Sequence, residues 1–322
     1  MVGKDLSSSF AGLRQAQKRV KESRLIFTTC VGAGVGLLRA ETFDVVLIDE
    51  ASQQTEAATL IPLTKGCKRA ILVGDHVQLR ATVQKHAVVS GFDISLFERH
   101  YEMPSRPDIA KVMLDTQYRM HPDICSFSSA EFYQGKLATS PGLVSIRLPP
   151  SRFPWPANDC RKVSIQCSTT EDLGRQSKSN AGQVALCGLV CRLLTAPPSI
   201  SPTDHPPVKA DVAILTPYLS QRTRLTEALP AYNVSSIDGY QGREAEIIVF
   251  VTVRCNNHFE IGFLKDLRRL NVAITRAKAG VIIIGDRRTL VGSAEDDDTD
   301  AESKAVWKRL LNACTEVEVP AA

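Results

Sequence analysis

Short apolar runs, each ending in polar or acidic residues, punctuate the chain. FDVVLIDE (43–50) ends in two carboxylates and RAILVGD (69–75) in Gly-Asp. DVAILTPY (211–218), EIIVFVTV (246–253) and GVIIIGD (280–286) repeat the style. Continuous rather than alternating apolar strands, separated by helical stretches, predict a parallel sheet covered on both faces. Leu13, Ala16 and Val20 fall at helical spacing between basic residues, which predicts a helix over the first 24 residues. LIFTTC (25–30) predicts a short buried strand leading into the Gly-rich turn VGAGVG. LKDLRRLNVAITRAK (264–278) reads as one helix stopped by Gly280, and a last helix is predicted at about 302–313.

These elements fall into two consecutive parallel-sheet units. The Pro-containing, weakly patterned YEMPSRPDIA (101–110) places the boundary. TAPPSISPTDHPP (195–207) is predicted as a surface loop, residues 139–175 are less regular, and AEDDDTDAES (294–303) is an acidic connector.

Composition narrows the classes. The 322 residues are enough for two cores, with 43% hydrophobic and 23% charged residues. Lys plus Arg is 39 against 35 Asp plus Glu, a formal charge of +4, so nucleic-acid binding would need a local basic surface rather than a global excess. No run of about 18 apolar residues is present, which argues against a membrane-spanning helix, and no membrane partner is expected. The N-terminal stretch lacks the apolar core of a signal peptide. The nine cysteines include no CxxC, and Cys187 and Cys191 sit four apart in an apolar helical pattern, facing a core. Free thiols rather than a zinc site point to a reducing intracellular compartment, cytoplasm or nucleus.

Chemistry concentrates at the strand ends, where ligands of open α/β sheets bind. Asp49 and Glu50 follow a strand directly; one carboxylate can hold a hydrated Mg²⁺ and the other polarise a water, or both can serve as helix-start acids. Gln78, in GDHVQL, can sense a phosphate or a water, or be an ordinary solvated loop residue. In TQYRMHP (116–122), Arg119 offers a fork matched to phosphate oxygens and Tyr118 a flat face for a base; a buried Tyr and a structural Arg pair is the alternative. Arg269 and Arg276 are seven apart, two turns on one face of the predicted helix. Gly239 and Gly242 permit tight turns.

DEASQ (49–53) followed by GDHVQL (74–79) resembles motifs II and III of superfamily 1 helicases, in the group that contains the nonsense-mediated-decay helicase and senataxin. SLFERH (95–100) is similar to the family's SLFERL, TQYRMHP to motif IV, and AILTPYLSQ (213–221) to the strand and loop before motif V. SSIDGYQGREAEIIVF (235–250) resembles motif V and RRLNVAITRAK (268–278) motif VI. The match runs from about residue 25 to 290.

The resemblance implies an α/β fold of two RecA-like units with ATP between them. It implies a partial first helicase domain at 1–106, a second at 107–290, and a connector and C-terminal helix at 291–322. Asp49 would bind Mg²⁺ through water, Glu50 and Gln78 would serve hydrolysis, and Arg119 and Arg276 would reach the γ-phosphate as arginine fingers. Tyr118, Gly242 and Glu244 would contact the nucleotide, with Glu244 accepting from ribose hydroxyls. Thr29, Gly32, Gly34, Thr216 and Pro217 would hold the backbone of single-stranded RNA or DNA without reading sequence. A regulatory protein is a further partner, and oligomeric state is not encoded in any motif.

The family's Walker A loop, GxxxxGK[ST], whose amides and Lys cradle phosphates, has no counterpart among these residues; Gly32-Ala33-Gly34-Val35-Gly36 lacks the Lys and hydroxyl pair. The chain therefore reads as the C-terminal part of a helicase, its first unit lacking the P-loop strand. A non-catalytic nucleic-acid or protein interaction module is the rival expectation. Two smaller departures stand out: Arg80-Ala81 where the family often has Pro after GDxxQL, and Gln183 where a Glu commonly follows the SxxN stretch.

Overall fold

The computed structural model describes residues 10–104, 108–156, 159–172, 174, 177–196, 210–292 and 300–319. Most of the loop read at 195–207 and of the acidic connector at 294–303 lies outside the described residues. The chain divides into two compact units, Met1–Lys111 and Val112–Ala322.

In the first unit, helix α1 (Phe10–Glu22) precedes two short 3-10 turns at Gly32–Gly34 and Gly36–Leu38. Strands β1 (Val45–Ile48) and β2 (Arg69–Leu72) form a parallel pair, with α2 (Glu56–Leu63) as their crossover. Thr55 starts α2 by accepting the Ala58 N–H, which satisfies one of the free donors of a helix end. Val46, Ile48 and Ala51 form the small core, with Phe43, Leu63, Leu72 and Phe97 packed against it. Val45, Leu47 and Ile71 stay exposed on the other side, so this pair is covered on one face, not two. Helices α3 (Lys85–Val89) and α4 (Leu96–Glu102) complete the unit.

LIFTTC forms no strand. Leu25 and Phe27 are 71% and 89% exposed, and among the described residues nothing takes up the segment's backbone groups as a sheet neighbour. Apolar composition alone does not hold an extended segment without a partner strand.

The second unit is built on a six-stranded sheet in the order β10-β5-β9-β8-β6-β7. Its strands are β5 (Lys162–Gln166), β6 (Val212–Thr216), β7 (Asn233–Ser236), β8 (Ala245–Val251), β9 (Ala277–Gly285) and β10 (Thr315–Glu316), and every pairing is parallel. A small parallel bridge joins β3 (Thr116–Gln117) to β4 (Ala138–Thr139). Helices α5 (Pro122–Phe132), α6 (Ala181–Thr195), α7 (Leu219–Ala228), α8 (Leu267–Ile274), α9 (Arg287–Val291) and α10 (Ala301–Ala313) surround it. Cys187, Val190, Cys191 and Leu194 of α6 bury against Val163, Ile214, Val249 and Ile282, as the helical spacing of the two cysteines predicts. Phe250 points to the opposite face, where its ring lies 6.0 Å from that of the fully buried Trp307 on α10.

Two sequence expectations change here. The span 264–278 is not one helix: Asp266 starts α8 by accepting the N–H groups of Arg268 and Arg269, and Thr275 ends it. Ala277 is already paired with Ala245, so the sheet claims the backbone that a longer helix would need. The irregular stretch 139–175 contains β5, a strand inside the sheet. Its first residue, Lys162, is 2% exposed with its ammonium 2.7 Å from an Asp123 oxygen, and that buried ion pair hides the strand's apolar pattern.

Candidate functional site

In the first unit the ends of β1 and β2 are tied together. The Ala51 N–H donates to the Val73 carbonyl (2.8 Å) and the Val73 N–H to the Ile48 carbonyl (2.9 Å). Glu50 makes the turn in the left-handed region (φ 51), and its N–H donates to Asp49 Oδ1 at 2.9 Å. Gly74 lies against this turn: a Cβ there would sit 2.9 Å from the Ser52 nitrogen, closer than real Cβ contacts allow. Asp49 and Glu50 are exposed, with Gln53 donating to Glu50 Oε2. Gln78 donates to Asp75 Oδ2 (2.7 Å), and the Asp75 N–H donates to Ser52 Oγ (3.2 Å). The structure thus brings Asp49, Glu50 and the Asp75–Gln78 pair to one strand-end surface. An exposed carboxylate there is the hard oxygen donor that a hydrated Mg²⁺ takes, so the residues fit that ion.

SLFERH has a local explanation that its sequence does not give. Glu98 is 1% exposed and receives the Arg80 guanidinium, Nε to Oε2 at 2.7 Å, while Arg80 Nη1 meets Asp93 Oδ2 at 3.0 Å. The two acids raise the Arg80 pKa further above its usual value, the Glu98 hydrogen bond first. Arg80 is thus an anchor between the GDHVQL loop and α4.

In the second unit three distant segments meet. The register Ala245↔Ala277 sets Glu244 beside Arg276 and Lys278. Arg119 Nε donates to Glu244 Oε2 at 2.7 Å and Nη1 to the Thr275 carbonyl at 3.1 Å. Lys278 Nζ lies 2.7 Å from Glu244 Oε1. The Arg119 hydrogen bond, then that of Lys278, holds the Glu244 carboxyl down to about 2. Gln117 shapes the loop that carries Arg119, accepting the Arg119 and Met120 N–H groups at 2.8 and 2.7 Å. The His121 N–H donates to the Lys278 carbonyl at 2.8 Å, fastening the same loop to β9.

Arg276 is buried (4% exposed), its Nε donating to the Val272 carbonyl and Nη2 to Thr275 Oγ1, each at 3.2 Å. Arg269 instead pairs with Asp238 and Asp266. The two arginines do not share a helix face, because α8 ends before Arg276. Tyr118 is 76% exposed beside Arg119. Gly242 has φ +76 with open space where a Cβ would be, so its requirement is conformational. Tyr240 Oη donates to the Glu244 carbonyl at 3.1 Å, holding the strand entry from below.

The residues read as nucleic-acid contacts are more dispersed. Thr29 Oγ1 accepts the Gly32 N–H (2.9 Å), and a Cβ on Gly34 would lie 2.7 Å from Ile61 Cγ2, so close packing on α2 explains Gly34. Thr216 is fully buried with no hydrogen-bond partner for its hydroxyl, which leaves half-buried Pro217 as the reachable part of that pair.

Sequence reasoning passed over Gln117 and Lys278, although both stand inside the quoted motifs. It also did not foresee Val253, buried in the left-handed region at φ 72, a strained choice for a β-branched residue. Gln183 Oε1 accepts its N–H at 2.7 Å and Asn180 Nδ2 donates to its carbonyl at 3.1 Å. The Gln183 carbonyl supplies there the acceptor that a Glu at this position would offer.

A family model described as an AAA domain matches residues 92–288, and a second of the same description matches residues 3–86. The Regulator of nonsense transcripts 1 homolog of Neurospora crassa is 36% identical over 298 residues, covering 86% of this chain and 26% of that protein. The ATP-dependent helicase NAM7 of Saccharomyces cerevisiae is 35% identical over 284 residues, covering 84% of this chain and 28% of that protein. The chain thus spans about a quarter of the length of these relatives. A solved arterivirus nonstructural protein 10 helicase in complex with DNA aligns with 86% of this chain and 52% of that one, at 12% identity and a TM-score of 0.40.

Proposed function

We propose, for a chain that belongs to the AAA-domain family of superfamily 1 helicases of the nonsense-mediated-decay type, that it carries motifs II to VI of an ATP-dependent motor. That motor couples ATP hydrolysis to movement along single-stranded RNA or DNA. The observation that supports this reading most is the convergence of Arg119, Glu244, Arg276 and Lys278 at the entries of β8 and β9, drawn from three motifs far apart in the chain. We assign residues 1–106 to a partial first helicase domain, 107–290 to the second, and 291–322 to the connector and closing helix.

The roles follow from chemistry. Asp49 would hold Mg²⁺ through water, and the bound ion would screen the phosphate charge that develops on transfer. Glu50 would take the proton of the attacking water while Gln78 orients that water. Arg119 is held through Nε on Glu244 and Nη1 on the Thr275 carbonyl and would meet phosphate oxygens with Nη2. Arg276 would add charge where the γ-phosphate separates. Tyr118, Gly242 and Glu244 would contact the nucleotide, and Thr29, Gly32, Gly34 and Pro217 the nucleic-acid backbone, with Thr216, fully buried, shaping the strand end beneath Pro217. A regulatory protein partner and an intracellular site, cytoplasm or nucleus, complete the assignment.

These 322 residues hold no GxxxxGK[ST] loop. Alone they should bind single strands weakly, with affinity falling as salt rises, and should not turn over ATP at a useful rate. The test is titration of labelled oligonucleotides of unrelated sequence at two salt concentrations, with ATP hydrolysis assayed alongside. Absence of strand binding would overturn the helicase reading. Strand-stimulated hydrolysis that disappears in Glu50→Gln would overturn the claim of inactivity alone.

A further inference from the structure

In the second unit an aromatic ring is held out to solvent by a turn that is fastened from two sides. Phe263 is 48% exposed and stands in the 3-10 turn Gly262–Lys265. On one side its N–H donates to Tyr218 Oη at 3.2 Å, and the two rings lie 5.4 Å apart. On the other side Trp307 Nε1 donates to the Leu264 carbonyl (3.0 Å) and Ser303 Oγ to the Lys265 carbonyl (2.9 Å). Tyr218 and Trp307, which provide these fastenings, are 3% and 0% exposed. Gly262 has φ +56, and a Cβ there would lie 2.7 Å from Tyr218 Oη and against the Arg254 guanidinium, so only glycine fits where the turn meets Tyr218.

An exposed phenylalanine on a loose loop says little, since single apolar side chains are common on surfaces. A ring fixed by a buried tyrosine and a buried tryptophan has already lost the freedom that binding would otherwise take from it. Its surroundings say what it would bind. Tyr218 follows Pro217 at the end of β6, and Leu219, 60% exposed, comes next. Lys265, 63% exposed, belongs to the same turn and is ion-paired with Asp300 at 3.8 Å, a loose pair that a strand could displace. One ring, one aliphatic side chain and one cation are far smaller than the roughly 800 Å² per partner of a stable protein interface. A patch of that size suits a single flat base laid on the ring.

We propose that Phe263 is a stacking platform for a nucleobase of single-stranded nucleic acid that runs over the Pro217 end of β6. The proposal rests on the helicase reading above and adds a base contact to it. Stacking on a ring face tolerates every base, so it suits a protein that moves along a strand without reading it.

The test compares a normal labelled oligonucleotide with one whose bases are missing, using the full 322-residue chain. Phe263→Leu keeps apolar packing on Tyr218 and removes the aromatic face. It should bind the normal strand about tenfold more weakly and the abasic strand as before, and Phe263→Tyr should restore the difference. Phe263→Trp gives a second readout, an indole emission quenched by the normal strand and not by the abasic one. If Phe263→Leu leaves the normal strand unaffected, or weakens both strands equally, the platform is overturned and the helicase reading stands. If the unsubstituted chain binds neither strand, both fall.

Discussion

Arg119 and Glu244 are 125 residues apart in the chain and 2.7 Å apart in the structure. The contact joins the loop after β3 to the entry of β8. Lys278 takes the second oxygen of the same carboxylate, so one acid gathers cations from two motifs. Glu244, assigned from family likeness to ribose hydroxyls, is also the counterion that stations Arg119.

The pair should show in acid. Glu244 titrates at about 2 in the fold against an ordinary 4.5, so its stabilisation is complete above pH 4.5 and is lost as pH falls through about 2. Glu244→Gln should therefore lower stability at pH 7, with a deficit that shrinks at pH 3. Both partners are partly exposed, so solvent screening keeps the effect modest. Urea melts at the two pH values measure it, and an equal deficit at both would remove the ion pair as its cause.

Arg276 and Arg119 should separate in their effect on folding. Arg276→Ala takes the guanidinium donors from the Val272 carbonyl and the Thr275 hydroxyl in a buried place, leaving them only the hydroxyl's own bonds to the Val272 and Asn271 carbonyls, a loss of about 1–3 kcal/mol. Arg119→Ala removes a half-exposed pair and should cost about 1 kcal/mol or less. With a P-loop segment joined to the chain, each should slow turnover by about 10³-fold or more. Denaturation curves beside ATPase rates check this; an Arg276→Ala chain that melts like its parent contradicts the first half.

Glu98 should matter to the first unit as much as any apolar residue there. Glu98→Ala leaves Arg80 with only Asp93, and because Arg80 keeps that partner and some solvent the cost should stay at about 1–3 kcal/mol. Replacing all three charges together, Arg80→Met, Glu98→Leu and Asp93→Asn, should recover most of it, whereas Arg80→Met with Glu98→Leu alone leaves the buried Asp93 without its cation. Hydrogen exchange of the β1 and β2 amides reports on this unit separately from the second.

Trp307→Phe tests the brace beneath the Phe263 turn. The ring contact with Phe250 survives, while the Leu264 carbonyl loses its buried donor, for about 1–2 kcal/mol. Strand affinity should fall as well, although Trp307 is fully buried and touches no ligand. Unchanged affinity in a chain that melts earlier would show that the turn keeps its shape without the brace.

Much of this architecture is legible in the residues. The runs at 211–218, 246–253 and 280–286 coincide with β6, β8 and β9 because strands buried on both faces carry no polar interruption. The same rule misplaces LIFTTC, since apolar content does not say whether a neighbouring strand exists. It also misses β5, where Lys162 is buried by pairing with Asp123, a residue far away in sequence. At the site, single letters locate Arg119, Glu244 and Arg276 but not their geometry. The break between Ile274 and Ala277 depends on the pairing with β8, and that pairing is a long-range fact.

Helix α10 lies beyond residue 288, where the match to the family model ends. Yet Trp307 stacks on Phe250, Arg309 pairs with Glu131, and Thr315 extends the sheet beside Val163. Trimming the chain at the edge of the recognised family would therefore cut through the compact second unit. It would bare Phe250 and loosen the Gly262–Lys265 turn, and the trimmed protein would report on its own damage rather than on the motor's parts.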